Sequence, residues 1–215
     1  MMSQIKIRIF ELPPIGTNAY LIINEDLGKA ALFDSPFGAK VEVDKQLERH
    51  DAELDGVWLT HGHWDHILDV HEFNKVGVPI FAHMEDEVLI KNPELMASFS
   101  IPGIEYHPGK VDGYLEDGQE IEIVGVKTRV VHTPGHSPGS ISFIMEDLNW
   151  VISGDVIFAG SVGRTDFPGC SHEALMESIR KQFFPLDPQM IIYPGHGPKT
   201  TVGQERSLNP FLSEM

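Results

Sequence analysis

The chain reads as an α/β protein: two mixed β/α halves facing each other, with helices outside. Three observations predict this. Residues 4–33 carry three apolar runs of strand length, separated by turn residues. Residues 41–90 alternate helical and strand-like patterns, which suits a parallel or mixed sheet covered by helices. The second half repeats the theme without visible sequence identity. No linker or low-complexity segment interrupts it, so residues 1–215 are expected to form a single domain.

Each element has its own signal. Residues 4–10 alternate Ile5, Ile7 and Ile9 with Lys6 and Arg8, the period of a half-exposed strand, and Pro13-Pro14-Ile15-Gly16 breaks it. Strands at 18–23 and 29–33 flank a hairpin turn at 24–28, giving an antiparallel meander that ends at Asp34. Val43 and Leu47 lie four apart in a helix over 41–50. A buried strand at 57–59 precedes a helix through Ile67, Val70 and Phe73, a strand at 78–81 and a helix at 84–90. Further strands are expected at 120–124, 126–131, 141–145, 150–153 and 189–193. A helix at 172–184 presents Leu175, Ile179 and Phe183 on one face, with Ser171 as N-cap and Pro185 as its stop. The last helix covers 202–208.

Composition narrows the function. The chain is 41% hydrophobic and 22% charged, ordinary for a globular protein. Its formal net charge is −16, from 32 acidic and 16 basic residues. That argues against binding nucleic acid through a basic footprint and against docking on anionic membranes. Cys170 stands alone, so no internal disulfide forms and a reducing compartment is the default. The N-terminal residues show no apolar signal core, and no stretch approaches 18 consecutive apolar residues. A cytoplasmic protein is expected.

The chemistry concentrates at Thr60-His61-Gly62-His63-Trp64-Asp65-His66. Packing does not call for three imidazoles and a carboxylate so close together, whereas a metal ion does. His136 and His196 each follow a Pro-Gly pair, and Asp155 follows the strand at 150–153. Loops at strand ends are where a sheet scaffold gathers a site, and the adjacent glycines allow close backbone approach. His61, His63, Asp65, His66, His136, Asp155 and His196 exceed one tetrahedral shell and suit two ions bridged by a carboxylate and a water. Histidine and carboxylate donors without cysteine favour an open catalytic site, zinc first, with iron or manganese as alternatives. His50, His107 and His172 read as solvated, and His71 and His83 as bystanders on neighbouring elements. His132 is expected to pack behind His136. Asp34 is the carboxylate expected to receive a ligand histidine's second N–H.

These motifs, with Thr133-Pro134-Gly135-His136-Ser137, Ser153-Gly154-Asp155 and Pro194-Gly195-His196-Gly197, resemble the metallo-β-lactamase superfamily. The resemblance covers nearly the whole chain. It implies the four-layer αβ/βα sandwich, with two mixed sheets inside and the site at one edge. It implies that His61, His63 and His136 hold the first ion, that Asp65, His66 and His196 hold the second, and that Asp155 bridges. Within the superfamily the chain looks most like the short bacterial glyoxalase II type, through Gly163-Arg164-Thr165-Asp166-Phe167-Pro168, Pro198-Lys199-Thr200-Thr201, Gly203-Gln204-Glu205-Arg206 and Asn209-Pro210-Phe211-Leu212. That type hydrolyses hydroxyacyl thioesters of glutathione. The longer enzymes carry a basic C-terminal helical region for glutathione, and this sequence stops at Met215, so another small thiol carrier stays open.

The expected reaction is hydrolysis of a small acyl thioester such as S-lactoylglutathione by a metal-bridging hydroxide. Asp65 would orient the nucleophile and take its proton. Arg164 would fork onto a substrate carboxylate, or else pair with Asp166. Cys170 reads as a bystander. A persulfide dioxygenase of the same superfamily would use a single iron on His61, His136 and Asp155. A lactonase shares the ligands, a β-lactamase would be expected to carry an export signal, and a non-catalytic metal-binding module is the remaining class.

Overall fold

The computed structural model describes residues 5–213. Six strands build the first sheet in chain order: β1 (Ile5–Leu12), β2 (Thr17–Asn24), β3 (Lys29–Phe33), β4 (Glu53–Trp58), β5 (Ile80–Ala82) and β6 (Gly113–Tyr114). β1, β2 and β3 are antiparallel, and β3 through β6 are parallel. The second half supplies β7 (Glu120–Ile123), β8 (Val126–His132), β9 (Ile141–Met145) and β10 (Trp150–Gly154). A hairpin of β11 (Ile157–Phe158) and β12 (Ser161–Val162) follows, then β13 (Ile191–Pro194) and β14 (Thr200–Thr201). The second sheet runs β14-β13-β10-β9-β8-β7, mixed because β10 and β13 are parallel.

Strand periodicity explains the layers. On β2 and β3 the residues Tyr20, Ile22, Ala31 and Phe33 point to the second sheet, where they meet Val130, Phe143, Ile152 and Tyr193. Their neighbours Ala19, Leu21, Ile23, Ala30 and Leu32 point the other way, under α1 (Ala39–His50) and Phe73. β2 is therefore buried along its whole length, which is why its sequence is a continuous apolar run rather than an alternation. On the second sheet Val131, Ile144, Val151 and Ile192 face Leu175, Ile179 and Phe183. Helix, sheet, sheet, helix is the four-layer order the sequence implied.

The differences are local. Gln4, placed in the first strand, lies outside the described residues. Ile9 is exposed, whereas Ile5 and Ile7 pack against the core between the sheets. The helix expected through Ile67, Val70 and Phe73 is two pieces, α2 (Trp64–Ile67) and α3 (Val70–Lys75). Asp69 between them turns its carboxylate onto the Lys40 backbone N–H at 3.0 Å, an interaction local spacing does not reveal. The helix expected at 84–90 is a 3₁₀ turn at Met84–Asp86 followed by α4 (Glu87–Lys91), and residues 93–99 add a second 3₁₀ stretch. The helix at 172–183 begins as α5 (His172–Ser178), with Ser171 Oγ accepting from Ala174 N at 3.2 Å, and widens into a π turn at Ile179–Phe183. The last helix, α6 (Val202–Leu208), matches its expected bounds.

The two sheets are stitched at one end by polar contacts. Asn18 N donates to Gly195 O at 2.7 Å, Tyr20 Oη to Pro194 O at 2.5 Å, and Ile141 N to Thr60 O at 2.8 Å. The opposed strand-end loops are thereby fixed against each other. Phe143 sits fully buried between the sheets, edge-on to Phe33 at 5.0 Å. Phe143→Ala is expected to destabilise the fold by about 3–5 kcal/mol; a loss below about 1 kcal/mol in urea unfolding would refute this account of the core.

Candidate metal centre

All seven predicted ligands arrive at the stitched end. The loop leaving β4 carries His61 and His63, and α2 carries Asp65 and His66. His136 follows β8, Asp155 follows β10 and His196 follows β13. Three overlapping groups result: His61, His63 and His136; His61, His66 and Asp155; and Asp65, His66 and His196.

The atoms that converge are identifiable. His63 Nδ1 lies 2.8 Å from His136 Nε2, which lies 3.3 Å from Asp155 Oδ2. Asp65 Oδ2 is 3.3 Å from His66 Nε2 and 3.2 Å from His196 Nε2. Asp155 Oδ1 is 3.4 Å from His66 Nε2, and Asp155 Oδ2 is 3.6 Å from His196 Nε2. Asp155 thus reaches both groups. Among the described residues, buried His61 Nε2, His66 Nε2 and Asp155 Oδ1 have no hydrogen-bond partner. Buried polar atoms without partners are costly, and three converging ones fit cation ligands.

The far side of four of the five rings, those of His61, His66, His136 and His196, is held by the protein, as suits ligand histidines. Asp34 Oδ2 lies 2.8 Å from His66 Nδ1 and accepts from Thr60 Oγ1 at 2.8 Å, and Asp34 Oδ1 accepts from Thr60 N at 2.7 Å. Thr60 Oγ1 lies 3.0 Å from His61 Nδ1. Asp34 therefore reaches His66 directly and His61 through Thr60. His136 Nδ1 faces Arg164 O at 2.8 Å, and His196 Nδ1 faces Gly16 O at 3.3 Å. Thr17 Oγ1 donates to Asp65 Oδ2 at 2.7 Å. A Cβ on Gly195 would stand 1.9 Å from Asp155 Oδ1, so that glycine makes room for the carboxylate.

The field is divided. Burial lowers His61 well below the ordinary histidine value, helped by the neighbouring imidazoles, and brings His63 down to about 3. Burial also acts to lower His66, yet Asp65, Asp155 and Asp34 raise it well above the ordinary value. Burial opposes ionisation of Asp155, but His66 and then His196 and His136 hold it well below the carboxylate range. The His61–His63 side offers neutral imidazole donors, and the Asp65–Asp155 side favours positive charge.

Above the ligands lies a cavity of about 300 Å³ walled by Trp64, Met96, Phe99, Phe158 and Phe167, with Arg164 at its rim. Phe167 packs edge-on against His63 at 4.9 Å. Arg164 makes two bonds to Asp166, at 2.6 and 2.7 Å, and stacks over Phe167 at 4.2 Å. Sequence reasoning quoted Phe167 without giving it a place, and missed Met96 and Phe99, which no local pattern ties to the site. Cys170 Sγ lies 2.7 Å from His136 O, and burial pushes its thiol pKa up, as suits a bystander. His50 is not solvated: its side chain is 7% exposed and lies 2.8 Å from Glu25. His71 stacks near His107, and His83 stacks on His132 at 4.2 Å, away from the ligands. His132 does back the His136 loop, with its Nε2 2.8 Å from Pro138 O.

A helix-flanked two-sheet sandwich with a buried His/Asp cluster at one end is the frame of a metal-dependent enzyme. The family model for the metallo-β-lactamase superfamily matches residues 12–196, and the chain belongs to that superfamily of metallo-hydrolases. It is 34% identical over 97% of its length, and 98% of the relative's, to the probable metallo-hydrolase YqgX of Bacillus subtilis. It is 37% identical to the hydroxyacylglutathione hydrolase GloC of Haemophilus influenzae, covering 89% of this chain and 91% of that one. The crystal structure of the BLEG-1 B3 metallo-β-lactamase superposes with a TM-score of 0.89 at 36% identity, over 97% of this chain and all of the other. Among the described residues, no helix is long and apolar enough to cross a membrane.

Gly195→Ala is expected to lower the metal retained after dialysis by about tenfold or more in affinity, since it displaces Asp155. Elemental analysis at unchanged metal content would overturn that.

Proposed function

We propose that this chain hydrolyses small acyl thioesters of the glyoxalase II type, with two divalent ions as cofactors. His61, His63 and His136 hold one ion, Asp65, His66 and His196 the other, and Asp155 joins them. The convergence of these side chains on three unpartnered buried atoms carries the reading. Imidazole and carboxylate donors suit zinc, with iron and manganese as competitors. Ions bound there supply Lewis acidity and a water of lowered pKa.

The protein's own groups do the rest. Asp65, fixed by Thr17, orients the attacking water and accepts its proton. Trp64, Met96 and Phe167 keep bulk water from the reacting carbonyl. Arg164 receives a substrate carboxylate at the rim. Its pairing with exposed Asp166 is weak competition, because exposed ion pairs contribute little. The thioester choice draws on the 37% identical hydroxyacylglutathione hydrolase. The similarity to the BLEG-1 β-lactamase favours a second reading, hydrolysis of a β-lactam amide at the same residues.

Elemental analysis beside assays with S-lactoylglutathione, a β-lactam and glutathione persulfide separates the readings. Thioester turnover with two ions per chain is expected; β-lactam turnover alone selects the second reading, and oxygen uptake with one iron selects a persulfide dioxygenase. Asp65→Ala should cut thioester kcat by about 100- to 10,000-fold, and undiminished turnover would sink the assignment. Arg164→Ala should raise KM for a carboxylate-bearing thioester and leave kcat nearly unchanged. An unaltered KM would remove Arg164 from substrate binding.

A further inference from the structure

Asp86 lies in the acidic run Glu85-Asp86-Glu87, yet it is fully buried, and among the described residues its carboxylate hydrogen-bonds to none of the seven candidate ligand side chains. Its carboxylate accepts three hydrogen bonds. Oδ2 takes Gly62 N and Ser137 Oγ, each at 2.7 Å, and Oδ1 takes Gly139 N at 2.7 Å. Gly62 lies between His61 and His63, and Ser137 follows His136. One carboxylate therefore ties together the two loops that carry the three-histidine group. Gly62 and Gly139 are both pressed against Asp86. A Cβ on Gly139 would stand 2.6 Å from Asp86 N, and one on Gly62 would stand 2.9 Å from Asp86 O.

The other ligand group has separate anchors. Thr17 holds Asp65, Gly16 O faces His196, and Asp34 holds His66, whose backbone oxygen accepts from Ser35 N at 2.8 Å. We propose that Asp86 is a positioning residue for one metal site only, setting the spacing of His61 and His63 against His136. Asp34 differs, because through Thr60 and His66 it touches both groups. Charge-assisted bonds to backbone N–H groups are short and directional, so a buried carboxylate holds two loops better than a neutral group does.

The inference rests on the two-ion reading and not on the substrate. The test is stepwise zinc binding to the metal-free full chain, by competition with a chromophoric chelator. Asp86→Asn turns an N–H₂ toward groups that donate to the carboxylate. It should weaken one binding step by about 10- to 100-fold and leave the other unchanged. Asp34→Asn should weaken both. A purely structural role predicts instead that Asp86→Asn lowers the thermal midpoint of the metal-free chain and weakens both steps alike; that result, or no change in either step, overturns the proposal. Ser137→Ala removes a single bond and should weaken the same step less. If Asp86→Asn does not fold, Ser137→Ala decides: an unchanged affinity refutes the role. A wild-type chain that binds one ion sinks the two-ion reading itself, and Asp86 is then judged on whether that ion's affinity falls. Loss of thioesterase activity alone bears on neither.

Discussion

Charge compensation at the stitched end of the sandwich constrains everything around it. Asp34, Asp65, Asp86 and Asp155 are buried there. Among the described residues, no lysine or arginine bonds to any of them; their partners are imidazoles, hydroxyls and backbone N–H groups. A buried ion without an opposite charge costs several kcal/mol. Asp34 and Asp86 meet that cost with hydrogen bonds. Asp65 has one hydroxyl, that of Thr17, and otherwise Asp65 and Asp155 face His66, His136 and His196, a surplus of carboxylate that suits a cation.

The apolar interior makes that arrangement rigid. The inner faces of the sheets share one core of alternate strand residues, so neither sheet can slide by a residue without turning apolar side chains outward. The polar stitching by Asn18, Tyr20 and Thr60 lies where that core ends. Ligands from distant strands are thus referred to a common frame. The loops themselves need little local structure, and this is why short Pro-Gly segments suffice to carry His136 and His196.

Much of this was legible in the sequence. The converging side chains were readable because four metal-competent residues in six positions have no packing explanation, and because His136, Asp155 and His196 each follow an apolar run. The layer order was readable from period-two and helical patterns. Other features depend on contacts far apart in sequence. The break between α2 and α3 comes from Asp69 reaching Lys40, and the burial of His50 from Glu25. Phe99 reaches the cavity from a 3₁₀ stretch with no periodic signal. Asp86 looks solvated in an acidic triplet. Its burial against Gly62 and Gly139 depends on contacts far apart in sequence.

The same charge distribution bears on how substrate is met. The chain carries −16 overall, so an anionic substrate approaches against the general field. At the rim, Arg164 is already paired with Asp166, and the walls between are aromatic and aliphatic. On the proposed function, local positive charge deep in the cavity would come from ions held by the buried carboxylates. On that reading, attraction of the substrate and polarisation of its carbonyl would be two effects of the same charges. What the protein adds is their placement, through Asp34 and Asp155 for both ligand groups and through Asp86 for the loops of one.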